Sequence, residues 1–94
     1  MPRAIFNGVV IAESNNYEIV DGNIYFPAAA LKLEYFKESK QTSVCPWKGT
    51  ASYFDVEANG KACAEAAWYY PNPKQKASHI KGHVAFWREV SIEK

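Results

Sequence analysis

The stretch Arg3-Ala4-Ile5-Phe6-Asn7-Gly8-Val9-Val10-Ile11-Ala12-Glu13 decides the fold class. Two short apolar, partly β-branched runs flank Asn7-Gly8, and both of those residues tolerate the positive φ that a two-residue hairpin turn demands. The sequence therefore predicts paired strands at Arg3 to Phe6 and Val9 to Glu13. The same pattern continues downstream. Asn15-Asn16 turns the chain into Tyr17 to Val20, and Asp21-Gly22 turns it again into Asn23 to Phe26, giving four short strands near the N-terminus.

Farther along, Thr50 to Glu57 alternates, with Ser52, Phe54 and Val56 on one face and Ala51 and Tyr53 on the other, and Asn59-Gly60 marks a further hairpin. Lys61 to Tyr70 is the longest strand candidate. Period two puts Ala62, Ala64, Ala66, Trp68 and Tyr70 on one face and Cys63, Glu65, Ala67 and Tyr69 on the other. The alanine run predicts a bulky group packed closely across that face. Pro71 and Pro73 donate no ladder hydrogen bond and end the strand. Val84 to Val90 alternates again and is expected to run as one closing strand. Between these regions, Pro27 precedes Ala28 to Phe36, a run of good helix formers expected to make one short helix. Lys37 to Thr42 is polar and expected to be a loop. The expected fold is a compact, mainly-β antiparallel domain of residues 1–94 with one short helix.

Composition bounds the function classes. The chain has 94 residues, 48% of them apolar and 15% aromatic, with 22% charged. That excludes a disordered charged tail, and the length leaves no room for a separate cofactor lobe. Eleven Lys and Arg face ten Asp and Glu for a net charge of +1, with the signs mixed along the chain. A nucleic-acid partner is therefore not expected, since counterion displacement needs a clustered basic surface. Met1 to Phe6 carries no secretory apolar run, and no window approaches the about 18 apolar residues of a membrane span. A cytoplasmic monomer or homodimer is the expectation, with no membrane partner. Cys45 and Cys63 are then expected to be reduced. His79 and His83 have a zinc-finger spacing without paired cysteines to match, so no metal or cofactor is expected, and the two rings should flank a turn at Gly82 half exposed.

Cys45-Pro46-Trp47-Lys48-Gly49 is the most unusual local run. Lys48 beside Cys45 would favour a thiolate and a reactive cysteine. Lys48 beside a glycine amide would instead hold a phosphate or carboxylate as a point charge. A packed turn with no ligand satisfies the same residues. Trp47, Tyr53, Trp68 and Tyr70 lie at or near the ends of neighbouring strand candidates, where they make either an aromatic core or an aromatic-lined cleft for a flat ring or a cation. Asp55 and Glu57 share a strand face and are expected to be solvated. No Ser-His-Asp order, glycine-rich phosphate loop or H-E-x-x-H run occurs. The leading expectation is a binding module for a small-molecule ligand or partner, with Cys45, Trp47, Lys48, Tyr53, Trp68 and Tyr70 as candidate ligand-binding residues. The alternative is an enzyme, acting through Cys45 or on nucleotides.

Tyr25-Phe26-Pro27, then Cys45-Pro46-Trp47-Lys48-Gly49 with Ala51 and Tyr53, then Ala67-Trp68-Tyr69-Tyr70-Pro71 with Pro73, then Ile80-Lys81-Gly82 and Ala85-Phe86-Trp87 together resemble the bacterial domain-of-unknown-function 427 family over nearly the whole chain. The length resembles its short single-domain versions, associated with cyanobacteria. The resemblance implies a β-tent architecture, two antiparallel sheets meeting over a cleft. Some relatives on that architecture are zinc-bearing reductases or aromatic-cage modules. The zinc does not carry over, because paired C-x-x-C knuckles are missing here. The family is sometimes labelled nucleotidyltransferase-like, yet no clustered acidic triad for Mg²⁺ is present. Ala28-Ala29-Ala30 stands where related sequences often carry acidic residues.

Overall fold

A computed structural model describes all residues, Met1–Lys94. Nine strands form in chain order: β1 (Arg3–Phe6), β2 (Val9–Glu13), β3 (Glu18–Val20), β4 (Asn23–Pro27), β5 (Phe36–Cys45), β6 (Gly49–Ala58), β7 (Lys61–Tyr69), β8 (His83–Phe86) and β9 (Ser91–Glu93). They make two antiparallel sheets, a small one ordered β2-β1-β9 and a large one ordered β3-β4-β8-β7-β6-β5. The three Asx-Gly pairs act as the sequence predicts. Asn7-Gly8, Asp21-Gly22 and Asn59-Gly60 all take positive φ and close the β1–β2, β3–β4 and β6–β7 hairpins. No helix is long and apolar enough to cross a membrane.

Each face of the large sheet has its own core. On one face Ile24, Phe26, Val56, Cys63, Ala67, Val84 and Phe86 pack with Ala4, Phe6, Ile11 and Ala12 of the small sheet. On the other, Tyr25, Ala51, Tyr70 and Ala85 pack with Val20 and with Ala77 and Ile80 of a 3-10 segment, Gln75–Ile80. Period two explains the division: Tyr53 pairs with Trp68 and Trp68 with Ala85, while Phe54 pairs with Ala67 and Tyr69 with Val84.

Several expectations need correction. The helix over Ala28 to Phe36 is instead two 3-10 turns, Ala28–Ala30 and Leu33–Tyr35. Leu31 is buried and bridges to Ala12, and the Lys32 N–H donates to the Ile11 carbonyl at 2.9 Å. So short a helix is marginal by itself, and burying Leu31 on β2 outweighs it. The loop over Lys37 to Thr42 is part of β5. It is polar because β5 is the edge of the sheet, and Ser39, Lys40 and Gln41 bulge opposite Tyr53, a device that blunts an edge.

The regular alternation of Lys61 to Tyr70 breaks at Glu65, which sits at φ 56°. Ala64, Glu65 and Ala66 all face Asp55, Ala62 and Ala64 are exposed, and only Ala66 of that run is buried, so nothing bulky packs across the run. Asp55 is not simply solvated, since its Oδ1 accepts the Glu65 N–H at 2.8 Å. The closing strand also splits. β8 ends at Phe86, Arg88 turns the chain at φ 58°, and β9 joins the small sheet beside β1.

Gly49 opens β6 at φ 115°, and a Cβ there would lie 3.3 Å from the Asn72 carbonyl oxygen. Gly8, at φ 79°, has open space around it. Gly49→Ala should therefore lower the unfolding free energy by about 2–3 kcal/mol and Gly8→Ala by only about 1 kcal/mol. Urea denaturation checks this, with the midpoint shifting at constant m-value.

Candidate functional site

The Cys45–Gly49 turn is set by backbone contacts. Cys45 pairs with Gly49, the Lys74 N–H donates to the Lys48 carbonyl at 2.8 Å, and the Lys74 ammonium donates to the Pro46 carbonyl at 2.7 Å. The turn thereby aims Lys48 across the second core. Lys48 is the only buried charged residue, 7% exposed. Its Nζ lies 2.6 Å from Asp21 Oδ2 in the β3–β4 turn, 5.1 Å from the Trp47 ring centre and 6.0 Å from that of Tyr70. Burial works against the charge. The Asp21 hydrogen bond and the Tyr25 and Tyr70 phenols outweigh it and hold the ammonium's pKa above the ordinary lysine value. Burial pushes the Tyr70 phenol up to about 12, with Lys48 opposing.

Lys48, Tyr53, Trp68, Tyr70 and Trp87 line a recess of about 140 Å³. Its walls are fixed by polar tips. The Trp68 Nε1–H donates to the Tyr25 hydroxyl at 3.2 Å, the Tyr53 and Ser43 hydroxyls share a 2.7 Å bond, and the Trp87 Nε1–H donates to the Glu65 carbonyl at 2.6 Å. Trp68 and Trp87 meet edge to face at 5.6 Å, and Tyr53 lies 6.5 Å from Trp87 at a tilt of 31°.

The structure thus brings together four of the six residues singled out from the sequence. Trp47 lies outside the recess, half exposed against the Lys48 ammonium. Cys45 is partly buried against the second core and does not line the recess, and Lys48 is paired with Asp21. Sequence reading missed Trp87, Asp21 and Tyr25. Trp87 was hidden by the apparent Val84 to Val90 alternation, and Asp21 reads as turn chemistry alone. No three His, Cys, Asp or Glu side chains cluster where they could hold a metal ion. His83 is half-buried and His79 exposed, on either side of a positive-φ Gly82. A larger pocket, about 390 Å³, opens on the opposite face of the large sheet, and no reading of the sequence points to it.

A model of the family described as Domain of unknown function (DUF427) matches residues 2–94. The chain belongs to that family. No curated protein matches it.

Two outcomes follow from the electrostatics. Asp21→Asn keeps a residue that tolerates positive φ but strands the buried ammonium, and should cost about 2 kcal/mol, less than a fully buried pair because Asp21 is 58% exposed. Lys48→Met keeps the stem and leaves only an exposed carboxylate, and should stay within about 1 kcal/mol of the parent. Thermal or urea unfolding of both variants compares them. In alkali, the unfolded chain releases the Tyr70 proton from pH 10 while the folded chain holds it to about 12. Stability should then fall as pH rises through that window, and phenolate absorbance should show Tyr70 ionising late among the six tyrosines.

Proposed function

We propose that this protein is a small-molecule binding module whose aromatic recess takes one planar ring carrying an anionic group. The observation that carries this reading is a buried cation walled by rings: Lys48 beside Tyr53, Trp68, Tyr70 and Trp87. The recess volume of about 140 Å³ is close to the about 150 Å³ of an engineered apolar cavity that accepts benzene, so one ring is the right scale. An ammonium has three N–H donors, and Asp21 accounts for one. The rings accept no conventional hydrogen bond, which leaves donors for a carboxylate or phosphate at the polar end. The ring of such a ligand meets Trp and Tyr in the edge or offset geometries these side chains already use among themselves.

Benzoate is a sufficient probe, with an affinity near the millimolar range for so few atoms. Titration should quench the intrinsic tryptophan fluorescence, because Trp68 and Trp87 form the wall. Lys48→Met should weaken binding about tenfold, the worth of a hydrogen bond to a charged group. Trp87→Ala should weaken it comparably with the fold intact by circular dichroism, since Trp87 is 43% exposed and water replaces its exposed indole bond to the Glu65 carbonyl. Equal binding of benzylamine, or benzoate binding untouched by Lys48→Met, would remove the proposal.

A further inference from the structure

The large sheet's opposite face carries a pocket of about 390 Å³, within the ordinary range for small-molecule sites where the aromatic recess is not. Its floor crosses four neighbouring strands through Val84 (β8), Tyr69 (β7), Phe54 (β6) and Glu38 (β5), joined in register by the pairs Tyr69–Val84 and Glu38–Phe54. Phe54 and Tyr69 stack at 4.8 Å and make a flat apolar base. Leu31 and Leu33 form a side wall, and Leu33 is left 70% exposed at the rim.

The charges are sorted by end. Glu38 stands at the β5 end and Lys81 with His83 at the β8 end, and neither Glu38 nor Lys81 takes part in any ion pair of the chain. The His83 Nδ1 lies 3.0 Å from the Lys81 carbonyl, which can only accept, so Nδ1 carries the hydrogen and Nε2 of the neutral ring is the free acceptor. One end therefore offers a cation beside an acceptor, and the other offers an anion. Three strand spacings of about 4.8 Å separate the two ends by roughly 14 Å along the floor.

We infer that this pocket is a second ligand site, separate from the aromatic recess, for a short apolar peptide of about three residues bound as its zwitterion. The terminal ammonium lies at Glu38, and the carboxylate with the last peptide N–H lies at Lys81 and His83 Nε2. The apolar side chains lie along Phe54, Tyr69 and Leu31. An extended tripeptide spans about 10 Å, and the Glu38 and Lys81 side chains reach inward over the remainder.

The probe is Leu-Ala-Leu, followed by calorimetry and by amide shift changes at Phe54, Tyr69 and Val84. N-acetylation or C-terminal amidation of the peptide should each weaken binding about tenfold. Both Glu38 and Lys81 are exposed, so their variants should fold as the parent does. In Glu38→Gln the N-acetyl penalty should vanish while the amide penalty persists, and in Lys81→Met the reverse should hold. Lys48→Met should change nothing, which separates this site from the recess. No binding of Leu-Ala-Leu, octanoate binding as tightly as the peptide, or end penalties indifferent to the two variants would each overturn the proposal.

Discussion

The junction of the two sheets depends on one irregularity, the bulge at Glu65. Asp55 Oδ1 accepts the Glu65 N–H, the Glu65 carbonyl accepts the Trp87 indole N–H, and the Ala66 carbonyl accepts the Trp87 backbone N–H at 3.0 Å. Arg88 adds an ion pair to Glu65 at 3.6 Å and lies over the Trp87 ring at 4.8 Å. At this place the chain leaves β8 and crosses to β9 in the other sheet. Each satisfied bond here is worth about 1 kcal/mol, and together they tie the bulge to the crossover. The same contacts turn the Trp87 ring into the recess wall. A device that joins two sheets thus also completes the recess on one of them.

What could be read from the sequence follows from how local its cause is. Asn7-Gly8, Asp21-Gly22 and Asn59-Gly60 specify their turns because the needed φ values are a property of those residues alone. Glu65 and Arg88 also take positive φ, yet nothing in their side chains asks for it. Their conformation is imposed by Asp55, Trp87 and the sheet crossover, contacts of long sequence separation, so the alternating pattern around them misleads. β5 misleads for another reason. Its polar residues suit an edge strand as well as a loop, and only its pairing with β6 separates the two. Lys48, Tyr53, Trp68 and Tyr70 could be grouped in advance because they lie on or just outside two neighbouring strands, β6 and β7. Trp87 arrives through the bulge, and Asp21 through a hairpin remote in sequence.

The two faces of the large sheet differ in kind. On one, a buried ammonium is enclosed by rings whose polar tips are tied to neighbouring groups, which gives a small and rigid recess. On the other, apolar side chains form an open floor with unpaired opposite charges at its ends. Tyr70 borders both. A tyrosine is neutral in the physiological range in any case, and burial pushes the Tyr70 phenol further, up to about 12, so the shared wall carries no charge.

The position of Lys48 is not explained by the fold. Burial of the ammonium is outweighed by Asp21 and the neighbouring phenols, which accounts for its staying charged but not for a lysine standing there, since apolar replacements of such pairs are commonly neutral or stabilising. The turn that holds Lys48 is already specified by the Gly49 conformation, the Lys74 N–H on the Lys48 carbonyl and the Lys74 ammonium on the Pro46 carbonyl, none of which uses the Lys48 side chain. The second core beneath it is filled by Tyr25, Ala51, Ala77, Ile80 and Ala85. A charge that neither the turn nor the core requires stands at the edge of an aromatic recess with N–H donors to spare, and this is what supports the proposed anionic ligand.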